Sequence, residues 1–566
     1  MNKKLPACDA CKTRRVLCHS QPSNIACPRC AEKGIICKTT PVRRGRPRRN
    51  HNGISEASTS SNATSDVALR QHIELSGIPQ LPAELVKDLF ECCVYVAECR
   101  MPLFRYEKLK ATLAAASWQL HLLPPQSRVL ATCVCAISAS ISFNSTVIGP
   151  GPQPKSFMDR SVFFPGSDLR IYGVRRATFC RRTYEQALNL ACENRIHLDV
   201  SEDNAASCFF LDFLERFNDT ITRSWAVTYV SHARILLGSV HEVTLPRGFA
   251  LWMGFMMSEA LTAAMQRKPV LITHLDQLLA NGSESPPLEE FLQSLQAMRQ
   301  TPKNSADLVF SSVRHYMFHV TRLARDLQEN IAGDYARRRP FALGAVMKFL
   351  SSLSILQSIL TLVLDQLELC PDAELLFLDH QKPSSYHEEN SLRACGFAVT
   401  AGFAGLVLAL RSEIKYRTTT EAHTVDDRWL QERTDVLRRQ VHELASFTVG
   451  MVVRAMRLLP SLPHLAHLGW IGVQDWAEFC LTEPTGAVDP EVFKTLIAAL
   501  KLSGYSWNMP RSSELIEQME ACLAQHNPTT QSDFSEIFNE MSPDIIWNGM
   551  FATNQSEMAF YDSTDL

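Results

Sequence analysis

Several sequence signatures of common enzyme classes are absent from this chain of 566 residues. It contains no phosphate-binding glycine loop, no dinucleotide-binding fingerprint and no G-x-S-x-G turn of a serine hydrolase. His315 and His319 have a spacing that places two ligands on one helix face, and His464 and His467 are three residues apart. Because no glutamate occupies the position that zinc proteases need, we interpret all four as core or surface histidines. We therefore predict that the chain is not an enzyme.

Targeting and membrane signals are also scarce. The start of the chain, MNKKLPACDAC, lacks the apolar region of a secretory signal peptide. The longest uncharged apolar stretch, residues 394–410, is short for a bilayer span and contains three glycines, so we predict a buried core helix and no membrane partner. Cysteines outside the N-terminal segment lack the spacing of a secreted scaffold, which favours free thiols in a reducing compartment. These absences leave the cytosol or the nucleus, and the basic N-terminal segment favours the nucleus.

What the sequence does contain is a repeat of six cysteines near its start. The unit C-x2-C-x6-C occurs twice, with eight residues between the copies. The six members are Cys8, Cys11, Cys18, Cys27, Cys30 and Cys37. Two cysteines separated by two residues can bind one metal ion from a tight turn, and tetrahedral thiolate coordination suits zinc. Since six cysteines are too few for two separate four-thiolate sites, the economical arrangement is two zinc ions that share two bridging thiolates.

All five spacings between these cysteines resemble those of the fungal C6 zinc-cluster transcription factors. Asp9 after the first cysteine and Pro22 in the eight-residue loop fit the same family. The resemblance implies that Cys8 and Cys27 bridge the two zinc ions. It also implies the terminal ligands, which are Cys11 and Cys18 on the first ion and Cys30 and Cys37 on the second. The alternative is a metal staple without a DNA role, which the dense basic segment around the cysteines disfavours.

The N-terminal segment is strongly basic, although the whole chain has a formal net charge of −2. Residues 1–50 hold thirteen Lys or Arg against two acidic residues, a formal charge of +11. Such asymmetry suggests a polyanionic partner, which here is double-stranded DNA.

The first copy of the repeat is the more basic one. Lys12, Arg14 and Arg15 lie between its second and third cysteines, where a short metal-held helix would aim them at phosphate and guanine. In the family, adjacent basic residues at this place read a CGG triplet, which implies that role for Arg14 and Arg15. The family most often has lysine at the position of Arg15 and a basic residue at that of Leu17, and both departures weaken the inference of CGG.

A second DNA-binding element follows the cysteines. Residues 43–47, RRGRP, resemble the core of an AT-hook, whose glycine and proline keep the backbone flat and extended. Arginines in such a segment enter a narrow A·T-rich minor groove. The predicted DNA contacts of this extension are Arg43, Arg44, Arg46, Arg48 and Arg49. A nuclear-localisation signal is a competing and compatible interpretation.

Composition and hydrophobic periodicity divide the chain into five parts. We predict a zinc-cluster domain at 1–40, the basic extension at 41–49, a flexible linker at 50–80, a regulatory domain at 81–526 and a tail at 527–566. Hairpin signals are missing, so the regulatory domain is predicted to be all-α. The predicted fold class is a small binuclear zinc-cluster domain followed by a large all-α regulatory domain, with a disordered linker and C-terminal tail.

Helical patterns recur along the regulatory domain. The predicted helical segments are 81–104, 127–142, 173–196, 204–217, 224–241, 343–370, 392–416, 427–459 and 488–503. Their order over about 81–320 resembles the middle homology region of the same fungal family. No heptad repeat follows the linker, so the coiled coil through which many members dimerise is missing or displaced, and a homodimer remains a possible partner state.

The last forty residues have no Lys or Arg. Their acidic residues are Asp533, Glu536, Glu540, Asp544, Glu557, Asp562 and Asp565. The aromatic residues among them are Phe534, Phe538, Trp547, Phe551, Phe560 and Tyr561. This interleaving is typical of activation domains, whose aromatic residues bind coactivators. The alternative is an ordinary disordered tail.

Together these patterns predict a nuclear, sequence-specific DNA-binding transcription regulator. The resemblance implies an activator of a fungal metabolic or biosynthetic gene set that reads a G·C-rich, CGG-like core. The alternative function is an architectural chromatin protein that binds the minor groove without sequence-specific activation.

Overall fold

The computed structural model of the chain divides into two compact units, residues 1–77 and 78–566. The described residues are 7–13, 16–19, 25–39, 81–157, 159, 161–164, 166–216, 222–239, 246–300, 305–368, 383–421, 428–458, 472–484 and 487–526. The predicted basic extension, the predicted linker and the predicted tail lie outside the described residues.

Two short helices, α1 (Asp9–Thr13) and α2 (Pro28–Glu32), form the regular structure of the described part of the first unit. They occupy equivalent places in the two copies of the cysteine repeat. Pro28 suits the first position of α2 because that position makes no intrahelical N–H bond. Asp9 takes the same place in α1, and its N–H donates to the Lys38 carbonyl at 2.9 Å, which links the first copy to the end of the second.

The described part of the second unit is built of helices and contains no β-strand, as the sequence predicted. Its helices are α3 (Ala83–Cys92), α4 (Tyr106–Ala115), α5 (Pro125–Ser138), α6 (Ser145–Ile148), α7 (Arg170–Glu193), α8 (Glu202–Glu215), α9 (Ser224–Ser239), α10 (Pro246–Met265), α11 (His274–Asn281), α12 (Leu288–Arg299), α13 (Ser305–Leu327), α14 (Asp334–Arg337), α15 (Leu343–Glu368), α16 (Pro383–Glu421), α17 (Arg428–Leu458), α18 (Val473–Thr482), α19 (Pro490–Ser503) and α20 (Pro510–His526). Shorter turns at Cys93–Tyr95, Ala97–Arg100, Leu120–Leu122 and Gln328–Ala332 connect them.

The helices of the second unit pack in two groups around one continuous apolar core. In the first group α5 packs against α3, α7 and α8, and α8 packs against α9. In the second group α13 and α16 pack against each other and against α10 and α15, and α17 lies along α16. The C-terminal helices α18, α19 and α20 contact one another, and α19 joins the two groups through α17 and α7.

A glycine in α7 sets how closely the C-terminal helices approach the first group. The Gly173 N–H donates to the Gly504 carbonyl at 3.1 Å. A Cβ at position 173 would lie 2.2 Å from that oxygen and 2.6 Å from the Trp507 carbonyl oxygen, so only glycine permits the approach. Nearby, the fully buried guanidinium of Arg176 lies 4.4 Å from the ring centre of Tyr505, which attaches the same turn to α7.

Each predicted helical segment contains a helix, but the first is shorter than expected. The sequence predicts a helix over 81–104, whereas α3 ends at Cys92 and two 3-10 turns follow it. Between these turns Val96 is extended, with φ −88° and ψ 118°. The run of β-branched and aromatic residues at 94–96 explains the break, because such side chains lose rotamer freedom in a helix.

Two described helices, α15 and α16, are long and apolar enough by length and composition to cross a membrane. Of the most apolar window of Gly396–Arg417 in α16, 83% is buried within the protein, and the corresponding share for α15 is 44%. Core helices pass the same test of length and composition. The burial of residues 396–410 agrees with the core helix predicted there from the sequence.

Candidate metal centre

Each short helix of the first unit has one cysteine directly before it and one within it, so that both cysteines lie on the same turn. Cys8 precedes α1 and Cys11 lies within it, while Cys27 precedes α2 and Cys30 lies within it. The Lys12 N–H donates to the Cys8 carbonyl at 3.0 Å, and the equivalent bond in the second copy is also 3.0 Å long. The spacing of two residues thus forms the tight turn that the sequence predicted.

In each copy, the sulfur of the third cysteine accepts a hydrogen bond from the backbone N–H of the first. The Cys8 N–H donates to the Cys18 Sγ at 3.4 Å, and the Cys27 N–H donates to the Cys37 Sγ at 3.3 Å. The two copies therefore share a hydrogen-bond pattern as well as a spacing. Hydrogen bonds of this kind stabilise a sulfur that carries negative charge, which is the state in which it binds metal.

Four sulfur atoms come together between the two copies. The Cys8 Sγ lies 3.9 Å from that of Cys27 and 3.7 Å from that of Cys30, and the Cys11 Sγ lies 3.8 Å from that of Cys27. All four sulfurs lie within 4.8 Å of one another. Zn–S bonds of about 2.3 Å at tetrahedral angles place sulfurs about 3.8 Å apart, whereas a disulfide brings them to about 2.0 Å. The group therefore has the dimensions of a metal site, and its thiols are free.

Among the described residues of the first unit, these four thiols are the buried ones. Cys8, Cys11, Cys27 and Cys30 are at most 3% exposed, and Cys18 and Cys37 are partly buried around them. Among the described residues of the unit, Ala10 is the one other apolar side chain packed against this group. So small a cluster cannot stabilise a fold by apolar burial, and a bound metal is the physical means by which such domains fold.

Local hydrogen bonds favour deprotonation of two of the thiols. The backbone N–H of Cys11 lowers the pKa of the Cys8 thiol to about 6, and the N–H of Cys30 lowers the pKa of the Cys27 thiol. The contact with the Cys8 sulfur raises the pKa of Cys11 to about 12, and burial raises the pKa of Cys30. Because the thiolate is the metal ligand, Cys8 and Cys27 are the thiols best prepared for binding.

Of the eight predicted DNA contacts, the structure describes Lys12 alone. Lys12 lies on α1 directly after Cys11, its side chain is 44% exposed, and its Nζ is 3.6 Å from the Asp9 carboxylate. An exposed pair of this length is weak, so Lys12 remains available to a phosphate. The other predicted contacts lie outside the described residues; they are Arg14, Arg15, Arg43, Arg44, Arg46, Arg48 and Arg49.

The structure adds exposed apolar side chains in the first unit, and the sequence interpretation had used one of them, Leu17. Leu17 is 72% exposed, Ile25 is 64% exposed and Ile36 is 86% exposed. Leu17 and Ile36 occupy equivalent positions in the two copies of the cysteine repeat. Aligning the two copies would therefore have identified them as a pair. Leu17 therefore presents a large apolar side chain beside α1, where the resembling family has a basic one.

The paired histidines of the second unit behave as packing residues. The buried His319 Nε2 lies 2.8 Å from the Pro286 carbonyl oxygen, and the His315 Nδ1 lies 3.1 Å from the Ser285 Oγ. Burial lowers the pKa of His319 to about 4. His464 and His467 lie outside the described residues. Within the part of the chain that the structure describes, the four cysteines are the one group of three or more potential ligands that lie close enough to hold a metal ion.

Comparison of the chain with known protein families, with curated proteins and with solved structures finds no match. The cysteine group and the residues beside it are therefore the features from which the function is inferred.

Proposed function

We propose that this chain is a sequence-specific DNA-binding transcription regulator whose N-terminal unit is folded around zinc. The observation that supports the proposal most strongly is the group of four buried sulfurs at tetrahedral edge distances, joined to a helix that carries exposed Lys12. A metal-held helix within a basic segment is a recurrent means of inserting side chains into the major groove.

Two zinc ions bridged by Cys8 and Cys27 account for the sulfur contacts. The Cys18 Sγ lies 3.7 Å from that of Cys8, in addition to the distances of Cys11 to Cys27 and of Cys30 to Cys8. Every one of these contacts joins two residues that the two-ion arrangement places on a common ion.

DNA recognition then divides between two kinds of contact. Lys12, Arg14 and Arg15 follow the first pair of ligands and read a G·C-rich core, since guanine presents two acceptors in the major groove. The arginines of residues 43–49 bind phosphates and the adjacent minor groove, which adds affinity and a preference for A·T-rich flanks. The protein acts in the nucleus, as a monomer or a homodimer, and residues 527–566 recruit coactivators through their aromatic side chains.

Selection of binding sites from random duplexes by the full chain loaded with zinc tests this proposal. A defined G·C-containing motif is expected. Arg15→Ala should weaken binding to that motif by about 1–3 kcal/mol and remove discrimination at one base pair. The matched variant Arg48→Ala should weaken binding to all sequences alike and reduce the salt slope by about one unit. A flat selection would instead favour an architectural protein that binds DNA without sequence choice.

A further inference from the structure

The second unit carries a positively charged surface built from three segments that are distant in sequence. These are the end of α10, the residues around α14 and the C-terminal part of α16. We name as the basic face the residues Arg267, Lys268, Arg337, Arg338, Arg339 and Lys415; Arg417, on the same segments, is buried. The acidic residues on the same segments, 328–339 and 413–417, are Glu329, Asp334 and Glu413. Seven basic residues against three acidic ones give these segments a formal net charge of +4.

A buried carboxylate and one bond to a backbone carbonyl join the three segments. The Glu413 side chain is 1% exposed and accepts hydrogen bonds from the Arg417 Nε at 2.9 Å and from the Arg337 Nε at 3.0 Å. The Arg267 Nη2 donates to the Ser412 carbonyl at 3.3 Å, which attaches the end of α10 to α16. Because these bonds are made within the protein, the basic face is formed before any partner arrives.

Aromatic rings lie among the cations of the basic face. The ring of Tyr416 is 4.3 Å from the guanidinium of Arg337 and 5.3 Å from that of Arg267, and the residue is 37% exposed. Tyr335 is 71% exposed and lies 5.7 Å from the guanidinium of Arg339. A surface that combines exposed cations with exposed rings suits a partner that combines carboxylates with aromatic side chains.

The last forty residues of the chain have that composition. Residues 527–566 contain seven acidic residues, six aromatic residues and no Lys or Arg. They continue directly from α20, which ends at His526. A tether of this kind gives its segment an effective concentration on the order of 1 mM near the surface, and ten extended residues span up to about 35 Å. Opposite charge, shared aromatic content and covalent attachment all favour this segment over an external anion.

We propose that residues 527–566 bind the basic face of the same molecule. The carboxylates pair with its exposed arginines and lysines, and the aromatic side chains pack beside Tyr335 and Tyr416. The contact itself does not depend on the proposed function. One consequence does rest on it: if the tail recruits coactivators, docking covers the same aromatic residues, and a coactivator has to compete with the basic face for them.

Carbodiimide coupling of the full chain tests the contact directly. The reagent activates a carboxylate, and a neighbouring lysine amine then forms an amide while the reagent leaves as a urea. The tail supplies carboxylates and contains no lysine, whereas the basic face supplies Lys268 and Lys415. Mass spectrometry should find amides between these lysines and the tail acids. Lys348, which is exposed on α15, is the control amine and should couple at a yield about tenfold lower.

Charge reversal supplies the matched comparison. Arg338→Glu combined with Arg339→Glu should lower the coupling of Lys268 and Lys415 to the tail about tenfold, because exposed ion pairs are individually weak and two are reversed. Arg181→Glu combined with Arg182→Glu reverses two adjacent exposed arginines on α7 and should leave the yield unchanged. In the wild type, about 1 M salt should remove the coupling as well, because it shortens the screening length to about 3 Å.

Any one of four results would overturn the proposal. The first is equal coupling of Lys348, Lys268 and Lys415. The second is coupling that survives both the charge reversal and the salt. The third is coupling that occurs between isotopically distinct copies in a mixed sample, which would assign the basic face to contacts between molecules. If the charge reversal weakens binding to duplex DNA and leaves the coupling unchanged, the basic face binds nucleic acid and the proposal also fails.

Discussion

The two units of this chain are stabilised in different ways. In the described part of the first, the buried side chains are four cysteine thiols, with Ala10, Cys18 and Cys37 packed around them. In the second, aliphatic and aromatic side chains from α3 to α20 form one continuous core. A small cluster of thiols gains little from leaving water, whereas a core of this extent gains about 25 cal/mol for each Å² of apolar surface buried. We therefore expect the first fold to depend on a bound ion and the second on apolar burial, so they should fail under different conditions.

The difference also separates the tasks that the two units can perform. The first unit presents its side chains from short turns around the cysteine group, and a metal bound there would hold them at fixed angles, which suits the DNA recognition that we propose. The second unit is large enough to hold a buried ion cluster around Glu413 and to display a preformed charged surface. Changes confined to one unit should leave the other intact, and the predictions below use that independence.

The largest effect is expected for a bridging cysteine. Cys27→Ser in the full chain should abolish zinc binding and reduce DNA affinity at least about 100-fold, because structural zinc contributes on the order of 10 kcal/mol or more to such small domains. Thermal unfolding of the helical unit should not change. Elemental analysis measures the zinc content, calorimetry measures thermal unfolding, and titration with duplex DNA measures the affinity. Cys192→Ser, an exposed cysteine of the second unit, is the control and should bind as much zinc as the wild type; full zinc content in the Cys27 variant would refute the bridging role.

A substitution in the apolar core should destabilise the helical unit and leave zinc binding unchanged. Phe403 on α16 is fully buried, so Phe403→Ala should lower the free energy of unfolding of the helical unit by about 3–5 kcal/mol. Zinc content should stay at the wild-type value. Phe447→Ala is the comparison, because that ring is 40% exposed and less of its surface is lost from the core. Denaturant unfolding with zinc present measures both variants, and equal costs would show that the assigned core is wrong.

A buried carboxyl adds a smaller, pH-dependent effect. Burial raises the pKa of Glu98 to about 7, so folding favours its protonated form. The stability linked to this proton is present below the usual pKa of about 4.5 and is lost as pH rises through about 7. Glu98→Gln should therefore stabilise the helical unit by up to about 3 kcal/mol at pH 8 and have little effect at pH 4.5. Denaturant unfolding across this range measures the difference, and a gain that does not vary with pH would exclude the buried charge as its cause.

The sequence predicted the metal site better than the helical surface. Spacing alone identifies the cysteines, because two ligands on one tight turn need no information about distant contacts. The structure brings Cys8, Cys11, Cys27 and Cys30 together as a pair of turns, although the number of bound ions stays a prediction. The hydrogen bonds that distinguish the Cys8 and Cys27 thiols depend on backbone geometry, which spacing does not specify.

The basic face shows why the surface of the helical unit could not be predicted from the sequence. Glu413 and Arg417 are four residues apart on α16, so their pairing follows from helix geometry. Arg337 lies 76 residues earlier, and its contact with Glu413 exists only because α14 packs near the end of α16. Helix α10 was missed for a related reason, because it is apolar on most sides and tertiary packing contributes more to its stability than propensity or caps do. Helix α13 was also missed, although its apolar residues lie on one face at helical spacing and periodicity could have identified it.

The most direct test of the account is the metal content and metal dependence of the full chain. The account predicts two zinc ions per chain by elemental analysis. It also predicts that a chelator will remove the slow amide exchange of residues 7–13 and 25–39 and abolish DNA binding, while the helical unit unfolds at an unchanged temperature. One zinc ion per chain would contradict the bridged cluster. Unchanged exchange of residues 7–13 and 25–39 after chelation would contradict the claim that metal, rather than apolar burial, stabilises the first unit.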